Sequence, residues 1–112
     1  EKVVAVIDCG LTVNPDNVRA QLEGGAIMGL SSAVKDEITF ENGRAVQTNY
    51  HNYRMLRMAE APKVEVHICP GADVPGGVGE PGLPPVAPAL GNAIFSLTGK
   101  RHRKLPIDLD QA

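Results

Sequence analysis

The chain alternates between stretches whose apolar residues follow a strand period and stretches whose apolar residues follow a helix period. The run VVAVI at 3–7 is apolar throughout and rich in β-branched residues, which is typical of a buried strand. In KVEVHICP at 63–70, apolar and polar residues alternate, which predicts a half-exposed strand with a solvated His67 on its polar face. Between these runs, Asn42-Gly43 predicts a hairpin, because both turn positions favour a positive φ.

Two other segments have apolar residues at helical spacing. The first predicted helix covers 15–34, with Asn14 as its N-cap and Pro15 at its first position. The second predicted helix covers 85–98, and Gly99 is a natural residue to end it.

The first predicted helix contains three glycines, Gly24, Gly25 and Gly29. Each glycine weakens a helix by roughly 1 kcal/mol relative to alanine. We therefore expect this helix either to pack very closely against another backbone or to fray.

The remaining segments complete the fold prediction. Residues 51–62 keep no clean period and are predicted to be irregular, whereas the basic run KRHRKLPI at 100–107 predicts an edge strand that closes the sheet. The order is β-α-β-β-β-loop-α-β. It predicts a single small two-layer α+β domain, with a mixed sheet of about four to five strands and two helices on one face.

Composition narrows the possible functions. The 112 residues suffice for one small domain, and with 4% aromatic residues its core must be aliphatic. A formal net charge of −2 argues against binding to nucleic acid or to anionic membranes, and no apolar run approaches the roughly 20 residues of a membrane span. Cys9 and Cys69 are too few for a disulfide framework and are predicted to be reduced core residues.

No protein-ligated metal site is predicted. His51 and His102 have no Cys, His or carboxylate partner at ligand spacing, and His67 is interpreted as a solvated strand residue.

The long loop GADVPGGVGEPGLPP, 71–85, is the candidate for chemistry, because loops of this length inside small domains are unusual and tend to be functional or disordered. A glycine-rich turn that leads into a helix can direct backbone N–H groups toward an anion. Glu80, shielded by glycines and prolines, could lose solvent, gain a raised pKa and act as a base. The pattern alone also allows a simple flexible connection.

The exact residue order of several separated motifs is more specific than their composition. GGVGEPG followed by LPPVAPALGNAIFSLTGKRHRKLPI resembles the C-terminal end of the molybdopterin-binding large subunit of the xanthine dehydrogenase and aldehyde oxidase family, in particular its isoquinoline 1-oxidoreductase beta-subunit branch. VIDCGLTVNPDNVRAQLEGGAIMGLSSAVKDEITFENGR and HNYRMLRMAEAPKVEVHI resemble the preceding segments of those subunits, in the same order. The resemblance covers nearly all of 1–112, and implies that this chain is the C-terminal part of such a catalytic domain.

The resemblance implies a role for Glu80 as the base that deprotonates a molybdenum-bound hydroxide. The resulting oxygen would attack an electron-poor carbon of an N-heterocycle or aldehyde, while hydride moves to a sulfido ligand. Gly77, Val78 and Gly79 would let the backbone approach the pterin cofactor, expected in its cytosine dinucleotide form. The QLEGG stretch, Gln21 to Gly25, would pack or line the same region.

The family's large subunit is several times longer than this chain, so the resemblance also implies partners. These are the remainder of the large subunit, a [2Fe-2S] small subunit and a small heteroaromatic or aldehyde substrate. The isolated chain is then expected to hold no molybdenum and to be inactive. The alternatives are a free-standing nucleotide- or anion-binding module and a self-associating interaction domain. The compartment stays open between bacterial cytoplasm and periplasm.

Overall fold

The computed structural model describes residues 2–71 and 74–111. Its regular elements follow one another in the order strand, helix, hairpin, strand, helix, with two short 3-10 turns, Met58–Glu60 and Leu109–Gln111. The longer elements are β1 (Lys2–Asp8), α1 (Pro15–Val34), β2 (Phe40–Glu41), β3 (Arg44–Ala45), β4 (Lys63–Cys69) and α2 (Val86–Thr98). The chain is therefore a small α+β fold, as the sequence predicts.

The two long strands, β1 and β4, lie side by side and parallel, with α1 as the crossover between them. In this register Val3 pairs with Val64 and Ile7 with Ile68, so the paired residues share one face of the sheet. Helix α1 packs against β4 and β1, and also against α2. On the opposite face of the sheet, Val6 is 63% exposed.

Both helices begin or end where the sequence predicts. The side-chain Oδ1 of Asn14 accepts hydrogen bonds from the N–H groups of Asp16 and Asn17, each over 3.1 Å, which confirms the N-cap. Helix α2 ends at Gly99, whose φ of 73° is left-handed and whose N–H donates to Phe95 O over 2.8 Å.

The glycines of α1 allow a close approach on one side of the helix. A Cβ on Gly25 would lie 3.2 Å from the Cα of Gly82, and one on Gly29 would lie 2.7 Å from the carbonyl oxygen of Leu83. A Cβ on Gly24 would meet nothing within 4 Å. The expected packing against another backbone is thus confirmed for two of the three glycines.

The prediction of one mixed sheet is wrong, because the described strands form two separate two-stranded sheets, β1–β4 and β2–β3. The predicted strand at 100–107 is also not formed. Pro106 has no N–H to give to a ladder, and the N–H of Ile107 donates to Ala33 O at the end of α1 over 2.7 Å. The apolar end of the basic run therefore packs on the C-terminal end of α1, where Ile107 is only 3% exposed.

We expect Gly29→Ala to destabilise the fold by about 1–3 kcal/mol, since its Cβ would overlap Leu83 O and Val86, which also lies 2.9 Å away. Gly91→Ala in α2 is the matched control, because a Cβ there meets nothing within 4 Å, and we expect it to be neutral or stabilising by about 1 kcal/mol. Urea unfolding of the two variants measures the difference. Equal midpoints would contradict the tight contact at Gly29.

The surface of β4 carries a small ionic cluster. Glu65 accepts hydrogen bonds from Lys2 of β1 over 2.5 Å and from His67 over 2.6 Å, and His67 is exposed as predicted. The hydrogen bond from Lys2, followed by that from His67, holds the pKa of Glu65 below its usual value of 4.5.

This cluster predicts a pH dependence of stability. A lowered carboxylate pKa stabilises the fold above pH 4.5, and that contribution is lost as the pH falls through the lowered value. Urea unfolding at neutral pH and below pH 4 should show a smaller loss for Glu65→Gln than for the wild type. Glu41→Gln, on the exposed hairpin, should keep the wild-type loss.

Candidate functional site

The loop between β4 and α2 leaves the sheet at the carboxyl ends of the two parallel strands. Asp8 pairs with Cys69 at this edge, and both strands are followed by short glycine-containing turns. Ligands of open parallel sheets bind outside the carboxyl ends of the strands. The sheet therefore places the loop at the edge where α/β proteins commonly form their sites.

The turn after β1 fixes the early part of the loop. The carbonyl of Cys9 accepts the N–H of Gly76 over 2.7 Å, and the carboxylate of Asp8 accepts the N–H of Gly10 over 3.0 Å. A Cβ on Gly71 would lie 1.8 Å from Asp8 Oδ1, so only glycine fits there. We call this contact region the first anchor of the loop (Asp8–Gly10 with Gly71 and Gly76).

The glycine side of α1 fixes the late part of the loop. A Cβ on Gly82 would lie 3.2 Å from the Cα of Leu22, and one on Gly25 would lie 3.3 Å from the Leu83 nitrogen. The N–H of Leu83 donates to Glu80 O over 3.0 Å, and the N–H of Val86 donates to Leu83 O over 3.2 Å. We call this the second anchor (Leu22, Gly25 and Gly29 with Gly82–Val86).

The apex of the loop, residues 77–80, lies between the two anchors. Gly77, Gly79 and Glu80 are exposed and Val78 is half-buried. A Cβ on either glycine would meet nothing within 4 Å, and neither has a left-handed φ. No backbone carbonyl among the described residues accepts a hydrogen bond from the N–H groups of 77–80. No contact within 2–71 and 74–111 requires glycine at these two positions.

Glu80 occupies the end of the apex with its side chain in solvent. Shielding of this carboxylate by the glycines and prolines of its own loop, which the sequence suggests, does not occur. The reason is geometric: the neighbouring glycines carry no side chains, and the anchors hold the loop on either side of Glu80 without covering it. Any desolvation of Glu80 has to come from atoms outside this chain.

The structure brings together four of the five predicted site residues. Gly77, Val78, Gly79 and Glu80 are consecutive in the apex, whereas Gln21 lies on α1 with an exposed side chain. Gln21 directly precedes Leu22, whose Cα faces Gly82, so it belongs to the helix turn beside the second anchor. Among the described residues, no hydrogen bond or ion pair joins Gln21 to the apex.

Sequence reasoning missed the first anchor. Cys9 is buried, with 4% exposure, and Cys69 is half-buried. Both are free thiols, in agreement with the prediction that they are reduced. The anchoring group is the Cys9 backbone carbonyl, which leaves no mark in the sequence. The available signal was the pair of strand ends, DCG and CPG, which must meet at one sheet edge if the strands are parallel.

A separate cavity of about 620 Å³ lies at the C-terminal end of α1, and its lining includes Lys35, Glu60 and Ile107. Lys35 and Glu60 form an ion pair there. The hydrogen bond from Lys35, followed by that from the Arg57 N–H, lowers the pKa of Glu60. None of the lining residues belongs to the loop, so this cavity is separate from the apex.

Within the described ranges, no group of three or more His, Cys, Asp or Glu residues is placed to hold a metal ion. No helix in the described part of the chain has the length and apolarity needed to cross a membrane.

Residues 1–62 match the family model described as molybdopterin cofactor-binding domain. The membrane-bound aldehyde dehydrogenase [pyrroloquinoline-quinone] of Gluconacetobacter polyoxogenes is 39% identical over 96% of this chain and 14% of its own length. Isoquinoline 1-oxidoreductase subunit beta of Brevundimonas diminuta is 38% identical over 95% of this chain and 14% of its own length.

A solved structure has the same fold. The reconstituted CO dehydrogenase from Oligotropha carboxidovorans superposes with a TM-score of 0.79 at 24% identity, over 94% of this chain and 14% of that chain. This chain thus spans about one seventh of the length of these relatives, since 14% of each is covered. The loop lies beyond the residues matched by the family model, in the part of the chain that the relatives also cover.

A glycine-to-alanine substitution is expected to have opposite effects on stability in the apex and in the second anchor. Gly79→Ala should leave the free energy of unfolding unchanged or raise it by up to about 1 kcal/mol, because the site is open. Gly82→Ala should lower it by about 1–3 kcal/mol, because its Cβ meets the backbone of Leu22. Urea unfolding compares the two, and an equally damaging Gly79→Ala would show that the apex is packed.

Proposed function

This chain belongs to the family of molybdopterin cofactor-binding domains, within the xanthine dehydrogenase and aldehyde oxidase large subunits, and we propose that its loop apex forms part of a molybdenum hydroxylase active site. In this proposal residues 1–112 are the C-terminal part of the catalytic domain. The observation that carries it is the apex itself: open glycines and free N–H groups beside an exposed carboxylate, held between two rigid anchors.

The residues of the apex fit a pterin cofactor. Gly77 and Gly79 leave space for atoms of an outside group to reach the backbone, and Val78 offers an apolar contact. The N–H groups of 77–80 have no carbonyl partner among the described residues, so they are available to anionic oxygens such as those of the cytosine dinucleotide form. Gln21 would add an amide beside the second anchor. When bound, the cofactor would supply molybdenum and its redox chemistry.

Glu80 is the proposed general base. Its carboxylate oxygens would accept a proton during oxidation of the substrate, and its carbonyl is already fixed by the Leu83 N–H. Because Glu80 is exposed in this chain, the surrounding groups of the full protein would have to exclude water from it.

The surface area supports a role within a larger assembly. The chain exposes 8130 Å², whereas a free-standing monomer of its 11.9 kDa mass exposes about 6,000 Å². Its radius of gyration of 16.3 Å also exceeds the roughly 13 Å expected for a compact domain of this length. We propose that the rest of the large subunit covers this surface, that a [2Fe-2S] subunit accepts the electrons, and that the isolated chain is inactive.

The substrate class follows from the relatives' names. One is named for isoquinoline and another for aldehydes, so the proposed substrates are N-heterocycles and aldehydes. The name of the aldehyde dehydrogenase gives pyrroloquinoline quinone as its cofactor. The apex does not by itself distinguish these two cofactors, since both are anionic, and the experiment below has to separate them.

The test compares Glu80→Gln with wild type in the full-length protein. Turnover of isoquinoline, nicotinate and benzaldehyde is measured with an artificial electron acceptor, together with molybdenum, pterin and quinone content. We expect Glu80→Gln to keep its molybdenum and lose turnover by about 10²-fold or more, because general-base catalysis contributes about 10²–10⁴-fold. Glu41→Gln, an exposed carboxylate on the hairpin, should keep both turnover and metal.

Three outcomes would contradict the proposal. Near-normal turnover of Glu80→Gln would remove its role as base. A protein that contains quinone and no molybdenum would assign the site to another cofactor. A wild-type protein that oxidises none of the three probes would contradict the proposed substrate class.

A further inference from the structure

Gly25 stands where α1 comes close to the loop that carries Glu80. A Cβ built on Gly25 would lie 3.2 Å from both the Cα and the carbonyl carbon of Gly82, and 3.3 Å from the nitrogen of Leu83. All three atoms belong to the backbone, so none can rotate away as the end of a long side chain can. The loop itself would have to move by a few tenths of an ångström.

The Leu83 nitrogen is also the group that holds Glu80. Its N–H donates to the Glu80 carbonyl over 3.0 Å, and the Leu83 carbonyl accepts the N–H of Val86 at the start of α2 over 3.2 Å. Two successive turns thus connect Glu80 to α2. Gly25 lies against Leu83, the residue at which these two turns meet.

We propose that Gly25 is a positioning residue for Glu80. Because Gly25 has no side chain, the Leu83 N–H can lie against α1 while it donates to the Glu80 carbonyl. This contact then sets the distance between the apex and α1. This role rests on the proposed function of Glu80 as a base. It differs from the role of Gly29, whose Cβ would meet Leu83 O and Val86 at the entrance to α2.

The contact at Gly25 is expected to affect catalysis as well as packing. A displacement of about 1 Å in an active site can lower the rate about 10²-fold, so a shift of a few tenths of an ångström is enough to be measured. Gly25 is half-buried and makes no hydrogen bond with the apex, so the helix is expected to survive an added methyl group. The apex glycines would still be free to approach the cofactor.

The experiment uses the full-length protein and two readouts. In Gly25→Ala we expect faster amide hydrogen exchange at Leu83, unchanged exchange at Ile94 in the core, and unchanged molybdenum content. We also expect kcat to fall about tenfold, with KM altered less than about twofold, because an interaction that serves the transition state has been disturbed. Gly91→Ala in α2, where a Cβ meets nothing within 4 Å, should change neither readout.

Gly82→Ala approaches the same contact from the loop side, with its Cβ 3.2 Å from the Leu22 Cα, and serves if Gly25→Ala does not fold. Unchanged exchange at Leu83, or equal effects of Gly25→Ala and Gly91→Ala, would overturn the positioning role. Faster exchange with unchanged kcat would overturn it as well. If Glu80→Gln retains turnover, the proposed function of Glu80 fails. Unchanged exchange at Leu83 in Gly25→Ala instead shows that the positioning role of Gly25 fails.

Discussion

The fold around the candidate site depends on how closely α1 approaches the backbone of the loop. Gly25 and Gly29 stand where an added Cβ would lie about 3 Å or less from backbone or side-chain atoms of Gly82, Leu83 and Val86. This contact brings the end of the long loop and the start of α2 onto the helix. Gly25 and Gly29 each cost the helix roughly 1 kcal/mol in propensity, and the close contact explains why both positions are glycine. Close packing compensates for weak local structure, and the helix forms over its full predicted length.

The same contact explains why the loop can be both ordered and open. A hydrogen bond to the Cys9 carbonyl and packing on α1 hold its two ends, while a Cβ on Gly77 or Gly79 in the apex would meet nothing within 4 Å. Such an arrangement keeps the backbone N–H groups and the Glu80 carboxylate available, yet limits how far they can move. Preorganised donors and bases need this combination, because their effect depends on position more than on strength.

The sequence predicted what depends on local chemistry and missed what depends on distant contacts. The Asn14 cap, the Gly99 stop and the Asn42-Gly43 turn, with φ of 50° and 77°, all follow from the preferences of single residues. The separation into two sheets and the docking of Ile107 on Ala33 O do not, since they depend on which distant backbone groups are free. At the candidate site, the GGVGEPG motif marks Glu80 as a candidate base, and that role stays a prediction. Its exposure was not predicted, because burial is a property of the surroundings.

That exposure connects the site to the rest of the surface. A two-stranded parallel sheet is ordinarily covered on both faces, yet Val4 and Val6 are 53% and 63% exposed on the face opposite α1. Both the valine face of the sheet and the Glu80 side chain are therefore left uncovered by the described residues. The exposed valines of the sheet gain from cover because burial removes apolar surface from water. Under the proposed function, one covering body packed on the strands and extending over their carboxyl ends would bury the exposed valines and shield Glu80 from water in the same step.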